Sequence, residues 1–246
     1  MLRRGALMLC VALAAVPAAA RDRDALRPAA NPSALIAAEI GFNQLAQDKG
    51  QWTAFRTTAA DGAEMFVPMR VLTAVFLKGR ADPPVSVKWQ PTQVWSSCDG
   101  SYGVTRGAWQ RPDSVGYFTT VWQRQKKGDY KWVLDQGDAL TTPLAAPEMI
   151  EGKVADCPAR NAGPYREPKR KGNVPVVLPP LPGPVPPLAP RAMTVLDSKD
   201  GRSDDGTLVW RSTVDGAGAR DFTVWTWKDG TMQQVIASKV AAPGRV

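Results

Sequence analysis

The chain has 246 residues, a formal net charge of +8 and no histidine. The missing histidine excludes Ser-His-Asp and Cys-His nucleophilic systems, and it removes the commonest metal ligand. Acid–base chemistry would have to come from Asp, Glu, Lys, Tyr or Cys, and we predict neither a metal nor another cofactor.

The chain begins with the parts of a secretory signal peptide. Arg3 and Arg4 are followed by an apolar run at residues 5–16 and by three alanines at residues 18–20, which match a small-x-small cleavage site. The apolar run is shorter than the ~20 residues that span a bilayer, so we predict no retained membrane span. The sequence therefore predicts Sec-type export, cleavage after Ala20, and a periplasmic or secreted protein.

Export changes what the positive charge indicates. Loss of Arg3 and Arg4 lowers the formal charge by two, from +8 to +6. Basic proteins often bind nucleic acid, but an exported protein meets little of it, so we predict no nucleic-acid partner. An anionic envelope polymer is a candidate partner for the basic cluster at residues 166–171. The alternative is a solvated charged surface without a dedicated partner.

Two cysteines remain after cleavage, Cys98 and Cys157. In an oxidising compartment such a pair is typical of a disulfide. Closing a loop of this length stabilises a fold by about 4 kcal/mol in the chain-entropy model. The alternative is two unpaired buried thiols. Neither cysteine belongs to a CxxC motif, so redox catalysis is not indicated.

Order is expected to begin with a helix, after a flexible lead at residues 21–30. Asn31 is a good N-cap, and Pro32 suits the first helical position because its missing N–H needs no partner there. Apolar residues then recur at helical spacing up to Gly50, which ends the helix. The shorter elements predicted next are a helix at residues 52–60, a strand at residues 65–68 and a helix or turn at residues 71–78.

From Val85 the apolar period changes to two. Four strand-like runs follow, separated by DG, PDSVG and KKGD, which are turn sequences that join antiparallel neighbours. Helices followed by such a meander predict an α+β fold, in which a curved antiparallel sheet is wrapped by N-terminal helices. The first domain is predicted to span residues 31–140.

Beyond Leu140 the pattern weakens. Residues 141–173 form an extension with the basic cluster, and residues 174–190 contain eight prolines, which is typical of a polyproline II linker. Residues 191–246 hold three strand-like runs, so we predict a three-stranded β-meander there. Roughly 40 residues without a cysteine are too few to fold alone, and the meander should dock on the first domain or on a second subunit.

These motifs together resemble a known family. The first helix, then KGQWTAFR, AEMFVP and LKGR, then VWSSCDGSYGVTRGAWQRPD, GYFTTVWQRQ and YKWVLDQGD follow the order of the nuclear transport factor 2-like superfamily. Within it, the chain is most similar to the SnoaL-like group of bacterial proteins, and the resemblance covers about residues 33–140. It implies a cone in which helices close a strongly bent sheet around an apolar cavity. It also implies a homodimer, which is common among relatives.

The resemblance leaves the activity open. The superfamily contains ketosteroid isomerase, scytalone dehydratase, polyketide cyclases and plain binding or dimerisation modules, and a fold does not specify a function. This chain lacks the dehydratase's histidines, and the isomerase's tyrosine and two aspartates cannot be matched. Phe42 and Leu45 occupy helix positions where a reactive tyrosine would be needed.

Alternation on the last predicted strand of the first domain selects candidate pocket residues. Tyr130, Trp132, Leu134, Gln136 and Asp138 share the more apolar face, which should point inward. The pocket residues predicted from other elements are Phe42, Phe118 and Trp122. Desolvation at the rim of the cavity would make Asp138 a usable general base. The alternative is a strand-end aspartate that hydrogen-bonds to a loop or a helix N-terminus.

Three functional hypotheses follow. The leading one is non-catalytic: the cone binds a small apolar ligand or supports assembly. The second is an enzyme of the isomerase, dehydratase or cyclase type that uses Asp138 as its general base. The third is an envelope carbohydrate-binding or interaction protein that uses some of its nine tryptophans and the basic cluster. Packing in the core is the simpler explanation for tryptophans on strands. A deep cavity with Asp138 beside a second polar group would favour the enzyme, whereas a cavity filled by Trp and Phe would exclude it.

Overall fold

The computed structural model describes residues 29–157 and 195–243 of the chain. Several predicted segments lie outside these residues: the signal peptide, most of the flexible lead, the basic cluster and the proline-rich linker. Among the helices that are described, none has the length and apolar character needed to cross a membrane.

The described residues contain three helices: α1 at Pro32–Lys49, α2 at Gln51–Thr58 and α3 at Thr73–Phe76. Both predicted ends of α1 are confirmed. Asn31 Oδ1 accepts a hydrogen bond from the Ala34 N–H at 3.0 Å, and the Gly50 N–H donates to the Ala46 carbonyl at 3.1 Å. Gly50 has a φ of 104°, which favours glycine, and it lets the chain pass from α1 into α2 without a loop.

Seven strands form a large sheet in the order β2-β1-β6-β5-β4-β3-β7. Their bounds are β1 Ala59–Phe66, β2 Arg70–Leu72, β3 Lys88–Ser96, β4 Tyr102–Gln110, β5 Val115–Arg124, β6 Tyr130–Leu140 and β7 Glu151–Val154. The predicted antiparallel meander is β3 to β6, and β1 and β7 run parallel to its two outer strands. Register shifts between β3 and β4 and between β5 and β6 mark bulges, which bend a sheet. The predicted α+β fold with a curved sheet is confirmed.

The C-terminal residues form a separate antiparallel sheet in the order β11-β10-β9-β8. Its strands are β8 Val195–Arg202, β9 Leu208–Asp215, β10 Arg220–Lys228 and β11 Thr231–Val240. The sequence pattern predicts β9 to β11 but neither β8 nor β7. Both of these are edge strands with mostly exposed or half-buried residues, so they carry no apolar alternation that would reveal them.

An apolar core lies on each face of the large sheet. The first, on the inner face, packs α1 and α2 against the sheet around Phe42, Trp122 and Trp132. The second lies between the outer face and the small sheet, and it includes Leu134 of the large sheet and Trp210 of the small one. The C-terminal sheet therefore docks on the first domain of its own chain.

Cys98 and Cys157 form the predicted disulfide, with their Cα atoms 5.2 Å apart. The bridge ties the turn between β3 and β4 to the segment after β7. The neighbouring Asp156 reaches the small sheet: its N–H donates to the Trp227 carbonyl at 2.8 Å, and its carboxylate accepts a bond from Lys228 Nζ at 2.6 Å. The disulfide thus lies where the two sheets join.

Candidate ligand-binding cavity

A cavity of about 270 Å³ lies between α2 and the inner face of the large sheet. Most of its wall is apolar, and the apolar lining residues are Phe42, Trp52, Phe55, Met65, Phe66, Val67, Val87, Trp89, Trp109 and Phe118. The polar and charged lining residues are Gln51, Arg111, Tyr117, Asp135, Gln136 and Asp138. This volume lies near the lower end of the range for small-molecule sites, so the cavity is not filled by its own aromatic side chains.

A β-bulge in β6 decides which acid enters the cavity. Two consecutive residues of β5 pair with Trp132 and Leu134, so Val133 is an extra residue in β6. Beyond such a bulge, each side chain faces the side opposite to the one that simple alternation predicts. Trp132 accordingly lies in the inner core, whereas Leu134 lies in the core between the sheets. Asp135 then returns to the inner face, although alternation from Trp132 predicts the outer face.

Asp135 is half-buried, and it lines the cavity. Thr120, which lies directly opposite on β5, donates its hydroxyl to Asp135 Oδ2 at 2.9 Å. Burial and the nearby negative charge of Glu39 together raise the pKa of Asp135 to about 7, and the bond from Thr120 offsets only part of this rise. Asp135 therefore exchanges its proton near neutral pH, which is the property of an effective general acid or base.

Glu39 lies behind the cavity wall, and its side chain is fully buried. Three donors reach its carboxylate: Trp89 Nε1 at 2.7 Å, Trp122 Nε1 at 3.0 Å and Thr105 Oγ1 at 2.5 Å. Burial raises the pKa of Glu39, and these hydrogen bonds oppose the rise. No cation takes part in this network within the described residues, so indole and hydroxyl donors alone satisfy the buried acid.

The two acids interact electrostatically through the polar layer between them. Thr105, which donates to Glu39, lies opposite Thr120, which donates to Asp135, on adjacent strands. Two carboxylates in one poorly solvated region do not ionise independently. Near neutral pH the pair therefore carries less than two full negative charges. Protonation of Asp135 at the cavity makes ionisation of Glu39 more favourable.

The structure brings some of the predicted pocket residues to the cavity and not others. The predicted residues that line it are Phe42, Phe118, Gln136 and Asp138. Trp122, Trp132 and Leu134 are fully buried in the two cores, and the Tyr130 hydroxyl donates to the Gly100 carbonyl at 2.7 Å. Whether any of these residues binds a ligand stays a prediction.

Asp138, the candidate base, lies at the cavity beside Ala139. Its Oδ1 accepts a hydrogen bond from the Ala139 N–H at 2.9 Å. Its strand neighbour across β5 is Tyr117, and the two side chains interact electrostatically. Beyond the bulge, the Asp138 side chain lies on the outer face with Tyr117 and interacts electrostatically with Arg220 of the small sheet. Asp138 thus borders the cavity only at its edge, and its hydrogen bond is that of the alternative interpretation.

Sequence reasoning misses Asp135 because it depends on the bulge. Strict alternation assigns Asp135 to the outer face with Lys131 and Val133, and no glycine or turn sequence marks the extra residue. The one available signal is that Thr120 and Asp135 are polar residues inside otherwise apolar strands. Polar residues opposite each other in a predicted core are typical of a functional or hydrogen-bonded site.

Other site types find less support in the described residues. Residues 29–157 and 195–243 contain no group of three or more Cys, Asp or Glu side chains that could hold a metal ion. All nine tryptophans lie within these ranges, and each is buried or half-buried. The carbohydrate hypothesis therefore lacks the exposed row of indoles that it requires.

The fold and the cavity define an α+β protein with an internal space of ligand size. No family model and no curated protein matches the chain. Among solved structures, one similar protein is a proposed ketosteroid isomerase from Parabacteroides distasonis, with a TM-score of 0.36, 14% identity, and coverage of 47% of this chain and 97% of that chain.

Two further solved structures are similar. A nuclear transport factor 2-like protein of unknown function from Silicibacter pomeroyi has a TM-score of 0.34 and 13% identity, with coverage of 45% of this chain and 99% of that chain. A proposed ketosteroid isomerase from Kribbella flavida has a TM-score of 0.33 and 15% identity, with coverage of 47% of this chain and 86% of that chain. Each of these similarities covers less than half of this chain.

Proposed function

We propose that the cavity binds a small, largely apolar ligand that carries one hydrogen-bonding group. One observation carries this proposal: a cavity of about 270 Å³ with a mainly aromatic wall contains a carboxyl group, Asp135, whose pKa is raised to about 7. Apolar walls supply most of the binding free energy in such sites, while a few polar groups fix the orientation.

Asp135 has one oxygen left for a ligand. Thr120 occupies Oδ2, and no hydrogen bond within the described residues occupies Oδ1. When protonated, Asp135 can donate to a carbonyl or ether oxygen, and when ionised it can accept from a hydroxyl. A ligand with a carbonyl group should therefore bind more tightly below pH 7, and a ligand with a hydroxyl group should show the opposite trend or none.

Thermal-shift screening of the chain from residue 21 onward tests the proposal, with small cyclic ketones and alcohols as probes. A probe present at one hundred times its Kd stabilises the folded state by about 2.7 kcal/mol, which corresponds to roughly 5–10 °C for a protein of this size. Asp135→Asn should weaken binding of a hydroxyl-bearing probe about tenfold. Asp138→Asn is the matched control and should leave binding within about twofold. The absence of any shift across the panel, or equal losses in both variants, would count against the proposal.

A second candidate function is proton transfer by Asp135, in an enzyme of the isomerase, dehydratase or cyclase type. The raised pKa favours it, because a base that titrates near neutrality can both take and return a proton. Asp138 is the candidate that the sequence pattern selects, and Asp135 is the stronger one because a carboxyl in a desolvated site is better suited to this chemistry.

Exchange in deuterated water distinguishes catalysis from binding. A ketone that shifts the melting temperature should lose its α-protons in the presence of the wild-type protein, and mass spectrometry measures the deuterium gained. Asp135→Asn should abolish exchange while retaining most of the thermal shift. Binding without exchange would leave ligand binding as the function and exclude proton transfer from that ketone.

Export is proposed together with this function. The disulfide between Cys98 and Cys157 is compatible with an oxidising compartment. N-terminal sequencing of the protein recovered from the cell envelope or medium should begin at Arg21. The proposed contact with an anionic envelope polymer predicts that binding weakens steeply as the salt concentration rises, because salt screens the attraction between exposed charges.

A further inference from the structure

Two turns of the molecule have the same sequence pattern and the same internal hydrogen bonds. The turn between β3 and β4 contains SCDGSY at residues 97–102, and the turn between β8 and β9 contains SDDGTL at residues 203–208. In each, the aspartate Oδ1 accepts bonds from the hydroxyl two residues before it and from the N–H two residues after it. The distances are 2.7 and 2.9 Å in the first turn and 2.7 and 3.0 Å in the second.

The two turns also bind each other through two pairs of reciprocal hydrogen bonds. The Asp99 N–H donates to Asp205 Oδ2 at 2.9 Å, and the Asp205 N–H donates to Asp99 Oδ2 at 2.9 Å. The N–H before each aspartate donates to the hydroxyl two residues after the other aspartate, at 2.9 Å in both directions. Such an exchange of equivalent contacts is characteristic of an isologous interface, which two identical subunits form across a twofold axis.

The equivalence extends into the strands on both sides of the turns. Both meanders have a bulge at the same place, opposite a Val-Trp pair on the neighbouring strand. In the large sheet the pair is Val121-Trp122 and the extra residue is Val133. In the small sheet the pair is Val224-Trp225 and the extra residue is Val235. Because bulges are conserved features of related sheets, their shared position indicates two copies of one unit.

The two copies have exchanged large and small side chains at one equivalent pair. Trp95 pairs with Val104 in the large sheet, and at the same distance from the turn Gly201 pairs with Trp210 in the small sheet. A Cβ atom at Gly201 would lie 2.2 Å from the indole nitrogen of Trp210. Trp95 lies on the first strand of its pair, whereas Trp210 lies on the second strand of its pair. The two meanders can therefore pack against each other without placing two tryptophans at equivalent positions.

We infer that β8 to β11 are a diverged second copy of β3 to β6, and that they occupy a surface of the large sheet which fits a copy of the same meander. We call this the inter-sheet surface; its residues in the large sheet are Trp95, Val104, Val121, Val133 and Leu134. The chain supplies its own partner for this surface. The homodimer expected from the family resemblance is therefore replaced, at this face, by a contact within one chain.

Sedimentation equilibrium of the chain from residue 21 onward tests the inference. The wild type should be a monomer. Val224→Asp places a charge in the core between the sheets, where Val224 is fully buried, without touching the cavity. It should release the small sheet, and the freed inter-sheet surface should then pair with the same surface of another chain. Adding Val121→Asp to this variant should restore the monomer.

Thr223→Asp is the matched control, because Thr223 lies on the same strand but faces away from the core. It should stay monomeric. The inference is overturned if the wild type is a dimer that Val121→Asp dissociates. It is also overturned if Val224→Asp remains a monomer at all concentrations while the near-ultraviolet circular dichroism of the inner-core tryptophans is unchanged.

A double-mutant cycle keeps the inference testable if Val224→Asp does not fold. Asp99→Ala and Asp205→Ala, measured by urea unfolding of the full chain, should raise the equilibrium constant for unfolding by similar factors. Their combined effect should fall short of the product of the two by about fivefold or more. Asp215→Ala is the control, because the bonds of Asp215 stay within its own turn. Effects that differ more than tenfold between the two sites, or that multiply independently, contradict the inference.

Discussion

Replacing Asp135 by asparagine should change how the stability of the protein depends on pH. The pKa of Asp135 rises from an ordinary value of 3.8 to about 7 in the folded chain. A carboxyl with a raised pKa binds its proton more tightly in the folded state than in the unfolded state. Its contribution to stability is therefore fully present below about pH 4 and is lost as the pH rises through 7.

The size of this effect follows from the pKa difference. Each unit corresponds to about 1.4 kcal/mol, so a rise of about three units makes the unfolding free energy of the wild type fall by about 4 kcal/mol between pH 4 and 7. The asparagine that replaces Asp135 in the variant does not titrate, so this fall should disappear. Above pH 7 the variant should be the more stable protein, because the wild type then keeps an ionised carboxylate in a poorly solvated site.

Urea unfolding followed by tryptophan fluorescence, at several pH values between about 4 and 8, measures the effect. Asp82 provides a control with the opposite sign. Its carboxylate accepts two bonds from Thr53, at 2.9 Å and 2.6 Å, and the hydroxyl bond is the larger cause of its lowered pKa. The contribution of Asp82 is present above its ordinary pKa of 3.8 and is lost as the pH falls below that value. Asp82→Asn should therefore lower the unfolding free energy by a nearly constant amount between about pH 5 and 8, and should change its pH dependence only on the acid side. If wild type and Asp135→Asn show parallel pH profiles between 4 and 8, the assignment of a raised pKa to Asp135 is refuted.

Two further predictions concern stability. Cys157→Ser should lower the unfolding free energy by about 4 kcal/mol, because the lost bridge closes a loop with a sequence separation of 59, and the melting temperature should fall by about 10 °C. A reductant should lower the melting temperature of the wild type to that of the variant and leave the melting temperature of the variant unchanged. A variant as stable as the oxidised wild type would contradict this prediction. Asn31→Ala should cost about 1 kcal/mol through loss of the α1 cap, while Asn31→Ser should retain most of that stability, and equal losses in both would show that the cap contributes nothing.

The sequence predicts the fold well wherever the pattern is local. The ends of α1 follow from the capping chemistry of Asn31 and Gly50, and the four central strands follow from alternation and turn residues. The disulfide follows from a pair of cysteines in a chain with the pattern of an exported protein. These features depend on a few neighbouring residues or on composition, so they can be recognised without knowing what packs against what.

The candidate site is harder to predict because it depends on long-range register. One extra residue, Val133, moves Asp135 to the cavity and sends Leu134 to the opposite core. Whether a strand contains a bulge is decided by its neighbours, and the partner strand is not visible in the local pattern. The burial of Glu39 likewise depends on Trp89 and Trp122, which are distant in sequence.

The second sheet also determines which wall of the cavity can move. The large sheet is packed on both faces, so the wall that carries Asp135 is fixed between two cores. The opposite wall consists mainly of α2, which has only eight residues and contributes Trp52 and Phe55. Adaptation to ligands of different size should therefore come from displacement of this short helix, and amide hydrogens of α2 should exchange faster than those of β5 and become protected when the cavity is filled.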